Sequence, residues 1–242
     1  MTIKTQDIRY ADGALSCLGF LAYDDAQAGK RPGVLVVHEA FGLGEHAMER
    51  ARMLAKQGYV ALAADLFGDR RQIGAADLMA EIGALAGDPP VLRKRAKAAL
   101  STLAAQPQVD ASRLFAIGFC FGGTTVFELA RDGVDLLGVV GFHSGLETRA
   151  PAKPGAVKAS VLALIGADDP LIPAAQRIAF EEEMRAAKAD WQLMAYGNTM
   201  HSFTNRAADG SSPIPGILYN AKADARSWRL MTDFFEERLK AK

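Results

Sequence analysis

Hydrophobic positions along the chain switch repeatedly between alternation and helical spacing, and the switches mark the elements. Near the N-terminus, Ile8 to Tyr10, the turn pair Asp12-Gly13 and the alternating stretch Leu15 to Tyr23 predict an antiparallel hairpin. Gly29-Lys30-Arg31-Pro32-Gly33 turns the chain into Val34 to Val37, a solid apolar run of the kind covered on both faces in a parallel sheet. Glu45 to Gln57 places Ala47, Ala51, Leu54 and Ala55 at helical spacing and stops at Gly58, after which Tyr59 to Ala63 is a strand. Helical patterns over Ala75 to Ala86 and Val91 to Ala105 are separated by Gly87-Asp88-Pro89-Pro90. Leu114 to Gly118 predicts a strand, Thr124 to Arg131 a helix, and Leu136 to Phe142 and Ser160 to Ile165 two more strands. Pro173 to Lys188 predicts a helix, Trp191 to Tyr196 the last strand and Tyr219 to Leu239 a closing amphipathic helix.

Strand and helix alternate throughout, which predicts one α/β domain over residues 1–242: a doubly wound, mostly parallel twisted sheet with an antiparallel N-terminal hairpin and helices on both faces. Half of the 242 residues are hydrophobic, enough for a large core, and no linker, repeat or low-complexity segment interrupts them. Lys plus Arg and Asp plus Glu both number 28, so there is no basic footprint for nucleic acid and no polybasic membrane segment. Met1 to Gly13 has no apolar signal-like core, and no apolar run is long enough to span a bilayer. The expected partner is a small molecule, and the expected assembly a monomer or weak homodimer. Cys17 and Cys120, without a CxxC motif, suit a reducing compartment, so a cytoplasmic protein with free thiols is expected. Cys17, inside the hairpin, reads as a packing residue.

Cys120 is different. It stands between Gly118 and Gly122, where an apolar strand gives way to a helix. Gly-x-Cys-x-Gly at that junction reads as a nucleophile elbow: the sharp turn has little room for a Cβ two residues before or after the nucleophile, and the turn aims the thiol at the positive end of the following helix. A buried structural cysteine is the competing reading. Open parallel sheets place their sites at the carboxyl ends of the strands, and there the chain carries Glu39, Asp65, Cys120, His143, Asp169 and His201. Cys120, Asp169 and His201 follow the order nucleophile, acid, histidine of an α/β-hydrolase sheet. A thiol attacking a carbonyl needs a base for its proton, and the base needs a carboxylate to fix its tautomer, roles for His201 and Asp169. Asp169 is preferred over Asp168 because it lies beyond Gly166 and just before Pro170; Asp168 is expected to support the turn through backbone hydrogen bonds.

On His38-Glu39-Ala40-Phe41-Gly42, Gly118-Phe119-Cys120-Phe121-Gly122-Gly123, Gly166-Ala167-Asp168-Asp169-Pro170 and His201-Ser202-Phe203, the chain resembles the dienelactone hydrolase family over nearly its whole length. The resemblance implies an α/β-hydrolase fold, a lactone or ester hydrolase activity without a cofactor or metal, and a triad of Cys120, Asp169 and His201. It further implies that Glu39 controls the ionisation of the cysteine, and that the oxyanion hole is formed by the backbone N–H groups of Ala40 and Phe121. Family members that open anionic lactones hold the substrate carboxylate with arginines; Arg70, Arg71 and Arg206 are the candidates here, against a reading as solvated loop arginines. His143 is a candidate for substrate contact or for a supporting role behind the site. Phe41, Phe67, Phe119, Phe121 and Phe203 could line an apolar pocket or simply pack the core.

The chemistry of sulfur favours lactones, enol or aryl esters and thioesters over amides, because a tetrahedral adduct expels the thiolate unless the other leaving group is nearly as good. A general carboxylesterase or thioesterase would share the mechanism. Two further readings stand beside these: a metal hydrolase using His38, Glu39, His46 and His143, whose spacing matches no zinc motif, and a non-enzymatic protein of the same fold with a redox-sensing Cys120.

Overall fold

The structure is a computed structural model and describes residues 2–241. Eight strands form one sheet: β1 (Ile3–Asp12), β2 (Leu15–Asp24), β3 (Arg31–Val37), β4 (Val60–Ala64), β5 (Val109–Phe119), β6 (Gly138–Phe142), β7 (Ser160–Gly166) and β8 (Trp191–Tyr196). Their order is β1-β2-β4-β3-β5-β6-β7-β8. β1 pairs antiparallel with β2, and β2 antiparallel with β4; every pairing from β4 to β8 is parallel.

Alternation along the strands feeds two cores. Val34, Val36, Phe115, Ile117 and Phe119 point to the face covered by α1 (Glu45–Lys56) and α6 (Ala221–Lys240). Leu35, Val37, Leu114 and Ala116 point to the face covered by α2 (Leu78–Ala86), α3 (Pro89–Ala104), α4 (Phe121–Arg131) and α5 (Ala174–Ala187). The second face is also tied by charge. Arg131 of α4, buried, reaches Glu128 at 3.0 Å, Glu183 of α5 at 2.8 Å and the Leu146 carbonyl at 2.7 Å, and Arg93 of α3 closes on Glu128 at 2.7 Å. None of the described helices is long and apolar enough to cross a membrane.

Four of the boundaries that differ from the sequence pattern have a local explanation. β1 starts at Ile3 rather than Ile8, because Lys4, Thr5 and Gln6 pair with Tyr23, Ala22 and Leu21 on an exposed edge where polar side chains carry no periodic signal. β5 starts at Val109, ahead of Leu114, since the irregular register at Pro32/Gly33 lets its polar first half pair with Arg31 and Pro32. Pro89 and Pro90 open α3 instead of separating it from α2: Asp88 accepts from the Val91 N–H at 3.2 Å, and the prolines occupy first-turn positions that need no N–H. α4 starts at Phe121, directly after Cys120, rather than at Thr124.

Gly122 sits in the first turn of α4 with its hydrogen facing the end of β3; a Cβ there would lie 2.2 Å from the Val37 carbonyl oxygen. Gly122→Ala is therefore expected to destabilise the fold by about 3 kcal/mol, since backbone has to move to relieve the clash. Gly74→Ala, where a Cβ meets nothing within 4 Å, is the control and is expected to shift the urea midpoint little. Equal midpoints for the two variants would refute the close approach.

Candidate active site

The site forms where β3, β5, β6 and β7 end. Cys120 links β5 to α4 with φ 53° and ψ −118°, a conformation side chains rarely adopt. It is held from both sides: the Cys120 N–H donates to the Phe142 carbonyl at 3.0 Å, and Gly123 N–H to the Cys120 carbonyl at 3.0 Å. A Cβ on Gly118 would stand 2.0 Å from the Gly122 carbonyl oxygen, so the glycine spacing read in the sequence matches a real backbone contact. Phe121 opens α4, and its N–H belongs to the first helical turn, which has no intrahelical acceptor.

His201 lies in the loop after β8 and is pinned by its backbone, donating to the Gly216 carbonyl at 2.9 Å and accepting from Leu218 N–H at 3.0 Å. Its Nδ1 stands 2.7 Å from Asp169 Oδ2, with both side chains almost fully buried. Asp169 Oδ1 caps its own turn by accepting from Leu171 N–H at 2.8 Å. Asp168 is exposed, and its contribution to the turn is its backbone N–H, which donates to the Thr199 carbonyl at 3.0 Å. The buried Nε2 of His201 has no nitrogen or oxygen partner among the described residues and is left to the Cys120 sulfur. Burial opposes charge on His201, but the negative sulfur of Cys120 and the Asp169 carboxylate outweigh it and lift the imidazole to about 10.

Glu39 follows β3. Ser202 Oγ donates to its Oε1 at 3.1 Å, Asn205 Nδ2 to its Oε2 at 2.6 Å, and His46 Nδ1 of α1 lies 3.3 Å from Oε2. Burial alone would raise its pKa; the contact with His46 leads the opposing effects, with Asn205 behind it, and brings it down to about 2. His143 has φ 42° and is fully buried, with Nε2 at 2.8 Å from Thr204 Oγ1 and its ring 5.1 Å from that of His201. Burial first, then the charge of His201, push His143 well below the ordinary histidine range. It is a neutral neighbour of the site.

The remaining candidates are spread more widely. His38 packs both ring nitrogens against backbone, Nδ1 donating to the Glu39 carbonyl at 2.5 Å and Nε2 accepting from Leu66 N–H at 3.2 Å, which leaves it no free ligand atom. Asp65 accepts from the N–H groups of Leu18, Phe67, Gly68 and Arg70 and organises the loop after β4. Arg70 reaches away to Asp7 at 2.6 Å and to the Leu18 and Gly19 carbonyls, and Arg71 forks onto Glu81 at 2.9 and 3.1 Å. Arg206 is exposed and lines a cavity of about 350 Å³ over α1, together with His46, Thr204 and Asn205. A cavity of about 530 Å³ lies between α2 and α5, lined by Leu146, Gln176 and Phe180 among others. Cys120 lines neither. Phe67, Phe119, Phe121 and Phe203 are buried in the cores, and Phe41 is exposed. The sequence gave His46 only a place in the metal reading and gave Thr204 no role; the two meet across 158 residues, a contact for which no local pattern exists.

This sheet, with its sharp strand-to-helix turn at Cys120 and with Asp169 and His201 on later loops, defines an α/β-hydrolase fold. The sequence model of the dienelactone hydrolase family matches residues 18–239, and the chain belongs to that family. A Yersinia pestis protein named "Putative carboxymethylenebutenolidase" is 30% identical over 230 residues, covering 90% of this chain and 82% of that one. The crystal structure of a dienelactone hydrolase-like promiscuous phosphotriesterase from metagenomic libraries superposes with a TM-score of 0.92 at 46% identity, covering 98% of this chain and 99% of that one. A dienelactone hydrolase structure from Anabaena variabilis, at 20% identity and a TM-score of 0.67 over 96% of this chain and 99% of that one, shares the fold. The chain is a hydrolase.

Glu39 supplies a stability test. Its folded pKa, about 2, lies below the ordinary 4.5, so its ionised form stabilises the fold fully above about pH 4.5 and the contribution is lost as pH falls towards 2. Between pH 6 and pH 3 the protein is expected to lose about 2 kcal/mol more than Glu39→Gln in urea unfolding. Parallel pH dependences would mean that the carboxylate is not held as described.

Proposed function

We propose that the chain hydrolyses lactones and activated carboxylic esters at Cys120 through an acyl-cysteine intermediate. The observation that carries this reading is the buried 2.7 Å contact between His201 and Asp169, with the other nitrogen of His201 left to the Cys120 sulfur. The thiolate adds to the carbonyl carbon, and the oxyanion is received by the N–H groups of Ala40 and Phe121. Collapse breaks the bond to the leaving oxygen, which takes the proton held by His201 Nε2. Water then attacks the acyl-cysteine with neutral His201 as base, and expulsion of the thiolate releases the acid and restores the starting state. Asp169 holds Nδ1 protonated in both halves, so Nε2 alone exchanges protons.

The fit to substrate follows from the arginines. Arg70 and Arg71 are committed to Asp7 and Glu81, so neither is offered to a substrate carboxylate, and Arg206 opens onto the cavity beyond Glu39. Neutral lactones and aryl or enol esters are therefore favoured over anionic dienelactones, with thioesters as the alternative acyl donors of matched chemistry. A second reading draws on the 46% identical relative described as a promiscuous phosphotriesterase: the same thiolate can attack phosphorus in an aryl phosphotriester.

Hydrolysis of an aryl acetate, a neutral and an anionic lactone, and an aryl dialkyl phosphate tests these readings together. Cys120→Ala is expected to lower kcat/KM on the carboxylic substrates by about a thousandfold or more, and Asp169→Asn by about a hundred- to ten-thousandfold. The wild-type protein is expected to release a stoichiometric burst of phenol from the acetate and to turn over the matched amide far more slowly. Equal activity of Cys120→Ala, or comparable rates for ester and amide, would overturn the acyl-cysteine mechanism.

A further inference from the structure

Glu39 is met from separate parts of the chain: Ser202 and Asn205 on the loop after β8 donate to it, and His46 Nδ1 on α1 stands 3.3 Å from Oε2. The His46 ring is itself fixed. It meets Phe119 edge-on at 4.6 Å, and its Nε2 faces Arg50 Nε at 3.4 Å and the Thr204 hydroxyl at 3.3 Å. Arg50 Nε always carries a hydrogen, so Nε2 is the accepting nitrogen and the ring proton sits on Nδ1, towards Glu39. Arg50 is anchored in turn by Asp224 of α6 at 2.8 Å and by the Thr204 carbonyl at 2.5 Å. The backing for one carboxylate thus runs from α1 to α6, although no step of acyl transfer uses His46, Arg50 or Thr204.

We propose that His46 is a positioning residue: with Ser202 and Asn205 it keeps the Glu39 carboxylate turned off the Cys120 sulfur, so that the thiolate stands paired with His201 before substrate arrives. This rests on Cys120 being the nucleophile. A carboxylate that already accepts from Ser202 and Asn205, with His46 Nδ1 3.3 Å from Oε2, is a poor acceptor for a thiol proton, which agrees with its lowered pKa. The titratable groups of the site are His201, which faces the sulfur, and Asp169, His143, Glu39 and His46, linked to it in turn by contact or charge. The consequence concerns substrate class. A nucleophile that is ready at rest needs no charged substrate to release it, and neutral esters and lactones suffice.

Alkylation of the full-length protein by iodoacetamide, a neutral probe, reads the resting thiolate directly, with mass spectrometry assigning the label. Cys17 is buried, and burial followed by the charge of Asp65 pushes its thiol up to about 11, so the two sites separate. His46→Phe keeps an aromatic ring against Phe119 and removes the N–H. It is expected to slow labelling of Cys120 at pH 6 about tenfold, the worth of one hydrogen bond to a charged group, with little change at pH 9. His46→Asn, whose amide N–H can occupy the place of Nδ1, is expected to restore the rate. Adding Glu39→Gln to His46→Phe is also expected to restore it, because an amide cannot take the thiol proton; a merely structural role for His46 predicts neither rescue. Asn205→Leu removes the other donor to Oε2 and is expected to act in the same direction as His46→Phe, which keeps the test open if that variant folds poorly. Wild-type labelling at pH 6 in both His46→Phe and Asn205→Leu, or equal slowing at pH 6 and pH 9, would overturn the proposal. Undiminished ester hydrolysis by Cys120→Ala would instead remove the nucleophile, whatever the His46 variants do.

Discussion

Backbone contact at the end of β5 is the constraint on which the site depends. A Cβ on Gly118 would stand 2.0 Å from the Gly122 carbonyl oxygen, one on Gly122 would stand 2.2 Å from that of Val37, and one on Gly123 would stand 1.6 Å from Ser144 Oγ. The first turn of α4 is therefore seated directly on the backbone at the ends of β3 and β5, and on the Ser144 side chain just beyond β6. Only such a seat leaves the intervening residue at φ 53°, and the strain is held by the Cys120 N–H bond to Phe142 and by the Gly123 bond back to Cys120. Glu39 and His143 follow β3 and β6, so the same contacts that strain Cys120 bring its neighbours close.

Within that frame, two histidines whose rings lie 5.1 Å apart are driven to opposite protonation states. Both are almost completely buried, which disfavours charge on each. His201 has a carboxylate 2.7 Å from Nδ1 and the negative sulfur at the other end of its ring, and it is raised to about 10. His143 meets only a hydroxyl, Thr204 Oγ1, at 2.8 Å, and the charge on His201 lowers it further. The first ring can carry a proton for chemistry, and the second cannot compete for it. A lone histidine among strand ends is thus assigned by its partner at the far nitrogen more than by its depth.

The elements and the elbow were legible in the sequence because both are local. Burial on two faces writes continuous apolar runs, and the turn from β5 to α4 writes Gly118, Cys120 and Gly122 at fixed spacing. Asp169 and His201 could be placed because strand ends converge in a parallel sheet. Glu39 and the N–H groups of Ala40 and Phe121 entered through family resemblance, since nothing in His38-Glu39-Ala40 itself distinguishes a working carboxylate from a strand-end ion pair. What stayed hidden depends on pairing between distant segments. Arg70 belongs to Asp7, 63 residues away, and His46 belongs to Glu39 and Thr204, the latter 158 residues away. The prolines before α3 misled for another reason: in sequence a helix cap and a loop look alike until Asp88 is seen to accept from Val91.

The loop after β8 couples the two halves of the site. His201 meets Asp169, Ser202 and Asn205 hold Glu39, and Thr204 stands between His46 and His143, all within five residues. Ser202 takes φ 55° so that adjacent side chains can serve different carboxylates, His201 meeting Asp169 and Ser202 meeting Glu39. The segment is fastened at each end of this stretch: Leu218 N–H binds the His201 carbonyl, Asn220 N–H the Phe203 carbonyl, and Arg50 the Thr204 carbonyl. A displacement that loosened the contact of His201 with Asp169 would therefore also loosen the contacts of Ser202 and Asn205 with Glu39. The placement of His201 and the placement of Glu39 follow from one loop position, and the interior of the loop is fixed by α1 and α6 rather than by the sheet that carries Cys120.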